Sequence, residues 1–146
     1  MNKKDIRILI IDDSPSDAEL AVQAFKQGKL SNEIMVVADG KEALSYLRKK
    51  GKYADVIRPD LILLDLNLPK LDGYAVLKEI KQDESLKSIP VVILTTSEDE
   101  KDVQAAYRLQ ASAFITKPVD FVKFVSVAKD IQQFYFVLAT LPVTGR

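Results

Sequence analysis

Five short apolar runs, separated by stretches of helical periodicity, constrain this chain more than any other feature of it. Arg7–Asp13 reads R-I-L-I-I-D-D, Ile34–Ala38 I-M-V-V-A, Leu61–Leu66 L-I-L-L-D-L, Pro90–Thr96 P-V-V-I-L-T-T and Ala113–Thr116 A-F-I-T. Continuous rather than alternating apolar runs belong to strands covered on both faces. Between them, apolar residues recur three and four apart. Ala18, Ala21, Val22 and Phe25 form one such stripe, and Ala43, Leu44 and Leu47 a second. Tyr74, Val76, Leu77 and Ile80 form a third; Val103, Ala106, Tyr107 and Gln110 follow on a fourth helix, and a fifth runs from about Asp120. Ser16 with Glu19, and Asp39 with Glu42, read as capping boxes, and Gly28 as a helix stop. Strands alternating with helices predict an α/β domain with a parallel sheet, doubly wound by right-handed crossovers. With 146 residues the chain has room for one such domain.

Composition narrows what that domain can do. There is no Cys and no His. Thiol and imidazole nucleophiles, disulfides, zinc ribbons and iron–sulfur clusters are excluded, and a cytoplasmic location is expected. A metal would have to sit on oxygen ligands, which points to Mg²⁺, Ca²⁺ or Mn²⁺. Lys plus Arg equals Asp plus Glu at 21 each, so no broad basic footprint marks a nucleic-acid binder. No apolar run approaches the length of a membrane span. The glycines at 28, 40, 51, 73 and 145 cannot build a Gly-rich phosphate loop.

Open α/β sheets place their sites outside the carboxyl ends of the strands. The first strand ends there in Asp12 and Asp13, the third in Asp65, the fourth in Thr95, Thr96 and Ser97, and the fifth in Lys117-Pro118. Converging carboxylates repel one another unless a hard dication joins them, and Mg²⁺ is the natural choice. Asp65, alone between two leucines on the most apolar strand, is placed to be a nucleophile toward phosphorus. A transferring phosphoryl group needs its oxygens neutralised. Mg²⁺ on Asp13, the Lys117 ammonium and the Thr96 hydroxyl would each take one. Singly these residues have ordinary roles as helix caps, turn acids or solvated charges. Their common position at the strand ends of one sheet is what argues for shared chemistry.

I-I-D-D-S-P at Ile10–Pro15, L-L-D-L-N-L-P-K-L-D-G-Y at Leu63–Tyr74, V-V-I-L-T-T-S at Val91–Ser97 and F-I-T-K-P at Phe114–Pro118 together resemble the receiver domains of two-component response regulators. The resemblance covers about Arg7–Phe134 and implies the flavodoxin-like receiver fold, with strand order 2-1-3-4-5. It implies Asp65 as phosphoacceptor and Mg²⁺ held by Asp12, Asp13, Asp65 and the Asn67 backbone carbonyl, with Asp13 the closer of the acid pair. It further implies Thr96 and Lys117 on the phosphoryl group, and a conformational switch through Thr96 and Phe114. Gln110 stands where the family usually has Gly, and Phe114 where it more often has Tyr. The longer connection Lys50–Pro59 and the apolar ending Ile131–Pro142 look like the stand-alone receivers paired with cyanobacterial and bacterial phytochrome histidine kinases. That resemblance implies a phytochrome-type sensor kinase as partner, a downstream phosphotransfer protein, and protein–protein output without DNA or membrane contact. On it the whole chain, 1–146, is one receiver domain, with a core of about 5–134 and an apolar extension at 135–146. It is a phosphoacceptor rather than an enzyme, with at most self-catalysed phosphorylation and dephosphorylation. Two other readings compete. A haloacid-dehalogenase-like phosphatase would need D-x-D-x-T on its first strand and a cap insertion, and here Asp65-Leu66-Asn67 lacks the second Asp. A docking scaffold would have lost Asp65, Lys117 or the acid pair, and none is lost.

The end of the chain raises a separate expectation. No charged residue occurs from Ile131 to Gly145. Phe121, Phe124, Ala128, Ile131, Tyr135 and Leu138 make one helical stripe able to pack on the sheet. Val127, Ile131, Phe134, Leu138 and Leu141 make a second on the adjoining face. One domain buries one face of its last helix, so the second stripe predicts a two-fold homodimer through the last helix and the extension.

Overall fold

The computed structural model describes residues 6–27, 32–66, 68, 72–95, 104, 108, 113–116 and 121–140; at 32, 95, 113, 114, 116, 131, 132 and 134–140 the description is of the backbone. The five strands are β1 (Ile6–Ile11), β2 (Asn32–Val37), β3 (Leu61–Asp65), β4 (Val91–Thr95) and β5 (Ala113–Thr116). They form one sheet in the order β2-β1-β3-β4-β5, with every neighbouring pair parallel. The helices are α1 (Pro15–Lys26), α2 (Gly40–Leu47), α3 (Gly73–Gln82) and a C-terminal helix, Phe121–Thr140. The helix expected at Val103–Gln110 falls outside the described residues, apart from the helical positions 104 and 108.

The apolar runs fold as they do because both faces of the sheet are covered. All five residues of β3 are buried. Polar–apolar alternation is absent from β1 for the same reason: of its six residues only Arg7 is not fully buried. One face carries Leu9, Ile11, Ile62, Leu64 and Ile93 against α2 and α3. The other carries Ile8, Ile10, Leu61, Leu63 and Leu94 against α1 and the C-terminal helix. Each fully buried Ile or Leu side chain contributes roughly 1.5–3 kcal/mol. The sheet edge β2 is less covered, with Met35 and Val36 exposed.

The helix starts follow capping chemistry, with one correction. Asp39 caps α2 as expected, its carboxylate accepting from Glu42 N at 2.8 Å. Asp72 caps α3 in the same way, accepting from Ala75 N at 3.0 Å. The cap of α1 is Ser14 rather than Ser16: its hydroxyl accepts from Asp17 N at 3.3 Å. Pro15 decides this. Its fixed φ suits the first helical position, so the helix begins one residue after Ser14. The C-terminal helix docks on α1 through Phe124 and Ala128, both buried, with the Phe124 ring edge-on to Phe25 at 6.5 Å between centroids. Phe121, placed by periodicity on the same packing stripe, is exposed: it is the first residue of the helix and precedes the contact with α1. The helix continues without interruption to Thr140.

The connection Lys50–Pro59 contains a short 3₁₀ turn, Gly51–Tyr53. Gly51 sits at φ +57°, in the left-handed region that glycine enters without strain. Tyr53 is buried and packs edge-on against Tyr46, with 5.0 Å between ring centroids. At this amino-terminal rim of the sheet, hydrogen bonds and ion pairs tie the connecting segments together. Arg7 and Asp60 exchange two of them: Arg7 N donates to Asp60 Oδ2 at 3.0 Å, and Asp60 N donates to Arg7 O at 2.7 Å. Arg58 donates to Ser85 O and Ser88 Oγ, Lys81 to the carbonyls of Lys87 and Ile89, and Arg48 pairs with Glu79 at 2.6 Å.

Candidate functional site

At the opposite rim the strand register brings acids together. β1 and β3 pair Ile11 with Leu64, which puts Asp12, just after β1, beside Asp65, the last residue of β3. The backbone is held on both sides, since Asp12 N donates to Val37 O at 3.1 Å and Leu66 N to Leu94 O at 3.2 Å. Asp12 and Asp65 are 7% and 6% exposed, while Asp13 is open to solvent. One carboxylate oxygen from each of Asp12, Asp13 and Asp65 lies within 4.8 Å of the other two. Three negative charges at such separations are costly without a counter-charge, and more so where two of them are buried. The donors are all carboxylate oxygens, the set that suits a hard divalent cation such as Mg²⁺ or Mn²⁺.

Local structure fixes the two buried acids. Asp12 accepts from Ser14 N at 2.9 Å, and Ser14 in turn caps α1, so the first helical turn is linked to the buried acid. Asp65 stands among the buried residues Leu64, Leu66 and Leu68. The segment after it closes back on itself where Gly73 N donates to Leu66 O at 3.0 Å. The approach is close enough to require glycine. A Cβ at position 73 would lie 2.5 Å from Leu66 Cα and 2.6 Å from the Asp65 carbonyl oxygen.

The structure thus brings together Asp12, Asp13 and Asp65 of the expected site. Asn67, Thr96 and Lys117 lie outside the described residues. Thr95 and Thr116, which precede Thr96 and Lys117, are register partners in β4 and β5. Phe114 is a β5 residue facing Ile93 in the register, and its side chain is outside the description. Of the expected dimer stripe, Val127 is half-buried; Ile131, Phe134 and Leu138 belong to the C-terminal helix by their backbones, and Leu141 is not described.

Two residues escape sequence reasoning. Gly73 is needed at the back of Asp65; the signal was a glycine directly after the cap Asp72, where helix propensity disfavours it. Asp17, third in α1, lines a cavity of about 10 Å³ that Asp12 and Asp65 also line. Its signal was a further acid one helical turn from the acid pair.

Known proteins share this sequence pattern and fold. The response regulator receiver domain family matches residues 8–129. Response regulator Rcp1 of Synechocystis sp. is 42% identical over 135 residues, covering 92% of this chain and 92% of Rcp1. The crystal structure of the phosphorylated cyanobacterial phytochrome response regulator RcpA superposes with a TM-score of 0.85 at 44% identity, over 96% of this chain and 100% of that one. The Mn²⁺-bound form of Rcp1 gives 0.83 at 41% identity, over 94% and 99%.

Proposed function

The chain belongs to the response regulator receiver family, and from that premise we propose that it accepts a phosphoryl group on Asp65 from a sensor histidine kinase of the phytochrome type, with Mg²⁺, and passes the signal on through protein contacts. The observation that carries this reading is the cluster of Asp12, Asp13 and Asp65 oxygens within 4.8 Å, with Asp65 at the carboxyl end of a buried strand. The likeness to RcpA, a phytochrome response regulator, supports the choice of kinase. The Mn²⁺ bound by Rcp1 supports the metal.

Asp65 supplies the nucleophile. One carboxylate oxygen attacks phosphorus, the bond from phosphorus to the donor (the imidazole nitrogen of a phosphohistidine) breaks, and the donor leaves with the electron pair. An acyl phosphate forms; water later cleaves it to inorganic phosphate and free Asp65. Asp12, Asp13 and Asp65, with the Asn67 carbonyl, would hold Mg²⁺, which when bound offsets the charge of the acids and of the phosphoryl oxygens. The Asp65 backbone is fixed by the ladder to β4 and by the closure at Gly73, so its carboxylate meets the donor already oriented. Lys117 and Thr96 are assigned to the remaining phosphoryl oxygens, and Thr96 with Phe114 to the switch. The protein acts as a cytoplasmic phosphoacceptor rather than an enzyme, a downstream phosphotransfer protein is a target, and copies pair through Val127, Ile131, Phe134, Leu138 and Leu141. The described helices include none long and apolar enough to cross a membrane.

Incubation with acetyl phosphate and Mg²⁺, read by intact mass, tests the assignment. One base-labile phosphate is expected, absent without metal and absent in Asp65→Asn. Wild-type labelling of that variant rejects it.

A further inference from the structure

The connection 50–59 and the edge strand β2 take no part in the chemistry assigned above, yet together they build a groove. It holds about 370 Å³ and is lined by Glu33 and Met35 from β2, by Asp55 and Ile57 from the connection and by Tyr46 from α2. The connection is anchored as a wall, because buried Tyr53 packs on Tyr46. Two apolar side chains of the groove stay open to solvent, Ile57 at 56% and Met35 at 39% exposure. β2 stands first in the sheet order, so its outer side has no strand partner among the described residues. Sheet edges are normally shielded by charge, proline or a cover. The one charge on β2 is Glu33, and Arg7 draws it back at 3.3 Å. Asp55, by contrast, is exposed and has no partner among the described residues. With Arg7 and Glu33 cancelling, Asp55 leaves the groove acidic.

We propose that this edge docks an extended segment of a partner protein. The segment adds to β2 as a new edge strand and carries two side chains on its groove face, two residues apart. One is aliphatic and lies between Met35 and Ile57; the other is a Lys or Arg and pairs with Asp55. Backbone bonding to the edge gives such docking its affinity, and the groove gives it selectivity. An aliphatic residue between the two lies on the opposite face, beside Val36, which is 40% exposed. A second copy of β2 fits less well, since it brings Glu33 where the groove asks for a cation.

The test titrates the peptide acetyl-Thr-Val-Val-Lys-Thr-amide to millimolar concentration into the isotope-labelled, unphosphorylated full chain, followed by amide shifts and amide exchange. Shifts in β2 and the connection are expected, with slower exchange along β2. The same peptide with Glu in place of Lys is expected to bind about 3-fold or more weakly, and Asp55→Asn to bring the two peptides within about 2-fold of each other. Ile57→Ser alters an exposed side chain and keeps the fold; it is expected to weaken the Lys peptide about 5-fold. No shift in β2 or the connection, equal binding of the two peptides to wild type, or binding unchanged in Ile57→Ser overturns the proposal. Shifts in β2 that grow with protein concentration in the absence of peptide give the edge to a second copy, and overturn it as well.

Discussion

Gly73→Ala puts one methyl group where the structure has no room for it. The new Cβ would sit 2.5 Å from Leu66 Cα and 2.6 Å from the Asp65 carbonyl oxygen, about 0.8–0.9 Å inside an ordinary contact of 3.4 Å. Both neighbours are backbone, so no side-chain rotation relieves the overlap. Either α3 retreats from β3 or the Asp65–Leu66 peptide moves. Overpacking of this kind costs roughly 1–3 kcal/mol. Alanine's better helix propensity returns at most about 1 kcal/mol, and less at the first helical position. A net loss of about 1–2 kcal/mol is expected from these two effects. A domain with roughly 5–15 kcal/mol of stability remains folded after such a loss, so unfolding cannot account for any drop in labelling. The peptide that moves carries the proposed acceptor, and a shift approaching 1 Å at a reacting group can cost on the order of 100-fold in rate. The assay pairs urea unfolding with time-resolved mass labelling by acetyl phosphate at saturating Mg²⁺. A variant as stable as wild type and labelled as fast refutes the reasoning from close approach.

Three further outcomes are expected. Mg²⁺ at about 100 times its Kd should stabilise the wild type by about 2.7 kcal/mol, a rise of roughly 5–10 °C in melting temperature, and Asp13→Ala should lose the rise; an equal shift in the variant removes Asp13 from the metal site. Tyr53 has its pKa raised above 10.0 by burial, with Glu42 adding to the effect, and Tyr46 is raised as well, chiefly by burial. The unfolded phenols therefore ionise first, the unfolded state binds fewer protons above pH 10, and stability falls there as pH rises. Tyr53→Phe should flatten that fall in urea unfolding between about pH 8 and 11, and an undiminished slope contradicts the assignment. Phe134→Asp should weaken the dimer proposed through the C-terminal helix, and sedimentation showing the intact wild type as a monomer at high concentration, with or without phosphorylation, removes the dimer.

The sheet was legible because burial on both faces leaves a mark in every residue of a strand. Ile62, Leu63 and Leu64 could hardly be anything but interior, and the acids that end such runs must emerge at a rim. Asp12, Asp13 and Asp65 were read on that ground. Capping was legible where one acceptor stood alone, as at Asp39, and misread where Ser14 and Ser16 flank a proline whose ring geometry settles the choice. Phe121 shares the spacing of Phe124, but periodicity does not say where along the helix the neighbour α1 begins. Gly73 and Asp17 owe their surroundings to what other segments bring against them. No local pattern encodes the distance from residue 73 to the Asp65 carbonyl, or the cavity that α1 shares with β1 and β3.

The bonds along the amino-terminal rim have a consequence for how this chain can change over time. Arg7 with Asp60, Arg58 with Ser85 and Ser88, and Lys81 with two carbonyls fasten one end of the strands. The acids, which strain the fold by their mutual repulsion, occupy the other end. Substitutions that retune chemistry or partner choice at the carboxyl rim therefore leave the fastenings untouched, and losses there need no compensation beside the acids. The two ends are held by separate contacts, so a change at the acids leaves the amino-terminal fastenings in place, and the constraint that acts beside the acids is the close approach at Gly73.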